Sequence, residues 1–105
     1  MIKDIKIGAI TYAVIEVPDL AGANDEGAHV RFNGRIGYSE CKIEIDSTNP
    51  EQIKAATLWH EIVHGILAQA GQDHTEENVI ALGYGIVQVL RDNPELVRYT
   101  QGAGK

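Results

Sequence analysis

Within Leu58-Trp59-His60-Glu61-Ile62-Val63-His64-Gly65, two histidines stand four residues apart, and a glutamate follows the first. On an α-helix such residues lie on one face, one turn apart, so His60 and His64 aim their imidazoles at a common point. Glu61 lies about 100° round from His60, beside that point. Two neutral imidazoles and an adjacent carboxylate are the parts needed to hold Zn²⁺ and to use the carboxylate as a general base. The chain has only four histidines, and chance would produce this spacing in roughly 1% of chains of its composition.

A catalytic zinc needs a third protein ligand and an open fourth position. The extended pattern His-x-x-Gly-x-x-His would require glycine at 67 and histidine at 70, but Leu67 and Ala70 stand there. The remaining candidates are His74, Glu76 and Glu77. A second helix, from about 75 or 76 to 92, carries its apolar stripe at Val79, Ile80, Gly83, Ile86, Val87 and Leu90. Counted from Glu76 at about 100° per residue, that stripe spans about −80° to +40°. Glu76 is therefore near its centre and is preferred, while Glu77 turns toward Tyr84 and Gln88. Both glutamates also suit a first helical turn through the helix dipole alone, so Glu77 and His74 stay open.

The elements that must position these groups follow from periodicity. Residues 2–17 are rich in Ile, Val, Thr and Tyr and read as one long strand, or two with a break near Gly8. Residues 18–28 form a turn-rich loop. Residues 29–38 carry Val30, Phe32 and Ile36 at even spacing around Asn33-Gly34, a bulge or tight turn. Residues 39–46 alternate cleanly. Cys41, Ile43 and Ile45 face a core, whereas Glu40, Lys42, Glu44 and Asp46 face water.

The first helix runs from about 50 to 70 and stops at Gly71. Asn49 is its N-cap, Pro50 takes the first position, and Gln52 completes a capping box. Ile53, Ala56, Val63 and Leu67 share the histidine face. Leu58, Trp59, Ile62 and Ile66 cover much of the other, and only a narrow strip through Lys54, Glu61 and Gly65 is not apolar. A helix this apolar all round is expected to be buried between layers. The connection after it is short, so the two helices are antiparallel neighbours. Gly83 and Gly85 each lower helix propensity by roughly 1 kcal/mol, which close approach of another backbone would justify. Residues 94–100 add a helical turn, and 101–105 form a disordered tail.

The expected fold class is α+β: one domain over residues 1–105, with a small antiparallel sheet of about three strands packed on the His60/His64 helix and on a second, antiparallel helix. The chain has 105 residues, 44% of them apolar and 23% charged, with net charge −6. That composition suits one globular domain. Its basic residues are scattered, which argues against binding nucleic acid. The lone Cys41 permits no internal disulfide and reads as a small apolar strand residue. The charged start Met1-Ile2-Lys3-Asp4-Ile5-Lys6 is unlike a signal peptide, and no apolar run reaches membrane-spanning length. A cytoplasmic protein is expected.

The segment Thr57–Ile66, followed by Glu76-Glu77-Asn78-Val79-Ile80-Ala81 and by Gln88–Pro94, resembles the gluzincin class of zinc metallopeptidases. The likeness covers about residues 40–95. It is nearest to minimal single-domain members and to metallopeptidases encoded by phages and prophages. Glu76-x-Asn78-x-x-Ala81 is similar to the third-ligand segment of ImmA/IrrE-type peptidases, which cleave phage-type repressors.

The resemblance implies a zincin-like fold, Zn²⁺ on His60, His64 and Glu76, and Glu61 as the catalytic base in hydrolysis of a peptide or protein substrate. It also implies that an edge strand just before the helix, about Glu40–Asp46, binds substrate as an added strand. Tyr84, His74 and Tyr38 are the candidates for stabilising the oxyanion. A non-catalytic module that holds zinc or a phage peptide is the competing expectation.

Overall fold

Ile5, Ile7, Ile10, Tyr12 and Val14 alternate with exposed neighbours, and in the structure they turn to one side of a sheet. The computed structural model describes residues 1–23 and 27–102. Part of the loop expected at 18–28, and most of the tail expected at 101–105, lie outside those residues.

β1 (Asp4–Ile7) and β2 (Ile10–Val17) form a hairpin whose ladder closes at the pair Ile7 and Ile10. The break is at Gly8, whose φ of 59° favours glycine. β3 (Ala21–Ala23) pairs with β4 (His29–Arg31) in a separate two-stranded ribbon. β5 (Gly34–Gly37) leaves that ribbon and pairs antiparallel with β6 (Lys42–Asp46). Asn33-Gly34 is thus not a hairpin turn but the point where the chain passes from one sheet to the other.

The main sheet has the order β1-β2-β6-β5, and its central pair, β2 with β6, is parallel. The α+β class is present, but the sheet is four-stranded and mixed rather than antiparallel with about three strands. A parallel pair needs a long crossover. The ribbon and β5 supply it, from residues that show little periodicity.

β6 departs further from expectation. It begins at Lys42, and Cys41 sits in the preceding turn at φ 54° rather than in the strand. Ile43 and Ile45 are fully buried, as expected, but Glu44 and Asp46 are buried too. Their charges are matched: Arg35 Nε donates to Glu44 at 2.7 Å, and Arg31 Nη2 to Asp46 at 2.8 Å. The strand lies inside the sheet, so it presents no edge to a substrate. The edges of the sheet are β1 and β5, and β5 is the one that borders the residues leading into α1 through β6.

α1 (Glu51–Gln69) packs on Ile7, Tyr12, Ile43 and Ile45 through Leu58 and Ile62. Pro50 takes the N-cap place and no side chain caps the helix. Asn49 is drawn away instead, donating to Asn33 Oδ1 at 3.0 Å. The helix is not buried all round, since Ile53 and Ile66 are exposed. The strip that looked least apolar is buried: Lys54, Glu61 and Gly65 all are. Gly65 allows that approach, because a Cβ there would meet Ile7 and Ile36. Lys54 brings its own counter-charges, with Nζ 2.8 Å from Glu16 and 2.7 Å from Glu51.

α2 (Glu76–Asp92) starts at Thr75, whose hydroxyl accepts from the Asn78 N–H at 3.1 Å, and lies against α1 through Val79, Gly83 and Val87. Gly83 meets the backbone of α1, but Gly85 faces open space. Ile80 stays exposed, so the buried stripe is narrower than the periodicity suggested. α3 (Pro94–Thr100) spans the residues expected to add helical structure. Among the described residues, no helix is long and apolar enough to cross a membrane.

Candidate metal centre

α1 places His60 and His64 one turn apart on the side facing α2, and the first turn of α2 delivers Glu76 between them. Glu76 Oε1 lies 2.6 Å from His60 Nε2 and 3.3 Å from His64 Nε2. The two Nε2 atoms are 3.2 Å apart. These three donors form the group suited to hold a metal ion among the described residues. Ligands about 2.1 Å from a tetrahedral Zn²⁺ stand about 3.4 Å from one another. Two of the three separations already have that size, and the third, 2.6 Å, is a hydrogen-bond distance. Two imidazoles and a carboxylate are also a recognised catalytic zinc donor set, so the residues present fit the ion.

Of the candidate third ligands, the structure brings Glu76 to the pair. Glu77 is exposed on α2 and outside the group. His74 is close but stands behind His64, with its Nε2 3.0 Å from His64 Nδ1 and its own Nδ1 3.0 Å from the Gln72 carbonyl oxygen.

Glu61 is buried, 5% exposed, and has no ion-pair partner among the described residues. Burial, and to a lesser degree the charge of Glu76, push its carboxyl up to about 8. His64 is held below the ordinary imidazole value, mainly by burial, against the opposing pull of Glu76. Both shifts favour uncharged forms.

Beside His60 and Glu61 opens a cleft of about 360 Å³. Phe32, Ala56, Ile80 and Tyr84 give it apolar walls, and Gly34 of β5 forms part of its floor. Tyr84 is thus on the cleft side of the donors. Tyr38 is on the other side, its hydroxyl 3.5 Å from the His64 carbonyl oxygen, and burial with the nearby charge of Glu61 raises its hydroxyl pKa. Tyr84 shares the cleft with His60 and Glu61, Tyr38 reaches the His64 backbone, and His74 is engaged with His64 and Gln72.

Sequence reasoning did not foresee Phe32, Asn33 and Gly34 as walls of this cleft. Their one signal was the Asn33-Gly34 dipeptide, which pointed to a turn. β5 pairs on one side only. The Asp46 N–H donates to the Asn33 carbonyl at 2.8 Å. Hydrogen-bonded pairs alternate along an antiparallel ladder, so the backbone groups of Gly34 and Ile36 point away from β6, along the free edge.

Set beside known proteins, the chain matches no protein-family model, no curated protein and no solved structure.

Proposed function

We propose that this chain is a small, zincin-like, zinc-dependent endopeptidase of gluzincin type. The observation that carries the reading is the convergence of His60, His64 and Glu76 beside a buried Glu61 that has no ion-pair partner among the described residues, at the head of a cleft. His60, His64 and Glu76 would hold the ion. When bound, Zn²⁺ acidifies a water molecule and polarises a carbonyl.

Glu61 takes a proton from the attacking water and passes it to the leaving amine. A buried carboxylate next to a ligating histidine is placed for both tasks. The free edge of β5 receives the peptide as an added strand through the backbone of Gly34 and Ile36. The apolar walls of the cleft accept a side chain next to the scissile bond, and Tyr38 or Tyr84 donates to the developing oxyanion. A peptide or protein substrate fits this arrangement, and a cytoplasmic setting suits the free Cys41.

The test is zinc-dependent cleavage of a peptide library by the wild type and by Glu61→Gln. Cleavage that needs both zinc and Glu61 is expected. Zinc uptake with no cleavage under varied conditions would leave a non-catalytic zinc- or peptide-binding module. The high exposure of Glu76, whose side chain is 62% open to solvent, favours that second reading, since a shallow site excludes little water.

A further inference from the structure

The two ring nitrogens of His74 bridge in opposite directions. Nδ1 lies 3.0 Å from the carbonyl oxygen of Gln72, and Nε2 lies 3.0 Å from Nδ1 of His64. A carbonyl oxygen only accepts, so His74 Nδ1 carries a hydrogen. In a neutral ring the other nitrogen is then bare. His74 Nε2 therefore accepts, and His64 Nδ1 donates. That leaves His64 Nε2 with a lone pair and no hydrogen.

The bare nitrogen points into the donor group, 3.3 Å from Glu76 Oε1 and 3.2 Å from His60 Nε2. His60 Nε2, 2.6 Å from the same carboxylate oxygen, is placed to donate to it. His64 Nε2 and Glu76 Oε1 thus face each other as two acceptors with no hydrogen between them. Such a pair is stabilised by a cation placed between its lone pairs.

We propose that His74 is a positioning residue that locks His64 in its Nδ1–H tautomer and so presents Nε2 as a ligand before any ion arrives. The proposal rests on the metal-binding reading given above.

The far end of this relay is fixed by the way α1 ends. Gly71 adopts φ 68°. The Gln72 N–H donates to the Leu67 carbonyl at 3.0 Å, and the Gly71 N–H to the Ala68 carbonyl at 3.1 Å. This pairing closes the helix with a left-handed glycine and clamps the backbone at Gln72. The Gln72 carbonyl then orients His74, and His74 orients His64. The order of control runs from a helix terminus to a ligand ring through one intervening side chain. Outer partners of ligating histidines commonly contribute about 10–100-fold to metal affinity.

The experiment has two readouts. Proton–nitrogen NMR of the metal-free, ¹⁵N-labelled protein at pH 8 shows which ring nitrogen of His64 carries the hydrogen. Chelator competition gives the zinc affinity of the wild type, His74→Leu and His74→Gln. The expected results are an Nδ1–H His64 in the wild type and a shift toward the Nε2–H form in His74→Leu. Zinc binding should be about 10–100-fold weaker in that variant. His74→Gln, whose amide oxygen can still accept from Nδ1–H, should recover most of both.

A wild-type His64 protonated at Nε2 overturns the proposal. So does a tautomer indifferent to His74→Leu, or equal zinc affinity in that variant and the wild type. If His74→Leu fails to fold, the wild-type spectrum and the affinity of His74→Gln decide. A wild type that takes up no zinc defeats the metal reading itself, and with it the proposal. That outcome is told apart because the unmodified chain, not the variant, fails.

Discussion

Gly83 of α2 lies directly over the backbone of His60: a Cβ on Gly83 would stand 3.2 Å from His60 Cα and 3.3 Å from its N. The neighbour is main chain, which has little room to yield. The helix bearing Glu76 is therefore held against the helix bearing His60 at a distance where any Cβ would have to push the two backbones apart by a few tenths of an ångström.

Gly83→Ala and Gly85→Ala should accordingly part company. Each replacement gains roughly 1 kcal/mol of helix propensity. Nothing lies within 4 Å of a Cβ at Gly85, so Gly85→Ala keeps that gain, with zinc affinity unchanged. Gly83→Ala spends it on separating α1 from α2, and Glu76 retreats from His60. Denaturant melts and chelator competition on the two variants provide the check. Equal zinc affinity in both would mean that the close approach does not set the ligand spacing.

Glu61 sets a pH limb in the metal-free protein. Its carboxyl is raised from about 4.5 to about 8, so the folded chain holds this proton more tightly than the unfolded chain does. Between those values the folded state carries the extra proton, and stability falls as pH rises. Glu61→Gln keeps the uncharged shape and should flatten that limb. At pH 8 it should be the more stable protein, by on the order of 1–3 kcal/mol. Its zinc affinity should survive, while peptide hydrolysis drops by roughly 10²–10⁴-fold. Urea melts of both proteins at pH 5 and pH 8 test the first part, and an equal slope in the two would refute it.

Asp46 gives the opposite slope. Its carboxylate accepts from the Thr48 hydroxyl at 2.6 Å, from Arg31 at 2.8 Å and from the Thr48 N–H at 2.9 Å. The Thr48 hydroxyl first, and then Arg31, hold it well below the usual carboxylate range. A depressed carboxyl stabilises the fold above its unfolded value near 3.8, and that support is lost as pH falls toward the folded value. Asp46→Asn should be less stable at pH 7 and should show a shallower decline in acid. Acid titrations followed by circular dichroism would reveal either behaviour.

Zinc should stabilise the folded chain by mass action. At a free concentration of 100 times Kd, the gain is about 2.7 kcal/mol, or a Tm rise of roughly 10 °C for a domain of this size. The rise should vanish with chelator and should shrink in His60→Ala, His64→Ala and Glu76→Ala. Equal Tm values with and without zinc in the wild type would exclude a folded-state site.

A peptide ligand on β5 should depend on its backbone. N-methylation of alternate amides, in the phase that faces Gly34 and Ile36, should abolish binding, whereas the opposite phase should leave it intact. Indifference to the phase would rule out strand addition.

The helical half was legible because its signals are local. His60, His64 and Glu76 are placed by a 3.6-residue period and a short turn, and Gly71 marks the end of the first helix. The sheet was less legible, because its arrangement depends on partners far away in sequence. Nothing local to Lys42–Asp46 says that β2 lies beside it in parallel. Glu44 and Asp46 alternate like solvent-facing residues, yet Arg35 and Arg31 cover them. Asn49 looks like a helix cap until Asn33, brought near by the fold, takes its side chain. Lys54 lies on the strip that looked least apolar, yet it is buried where Glu16 and Glu51 neutralise it. Each of these polar groups has at least one partner well separated from it in sequence.

All three donors fall in the single stretch from His60 to Glu76, within one helical hairpin. A bound ion would therefore act as a clasp across a short loop, closed at small entropic cost. Contacts this close in sequence form early and need no finished sheet. Metal would then mainly speed the formation of the hairpin, acting on the rate of folding more than on the rate of unfolding.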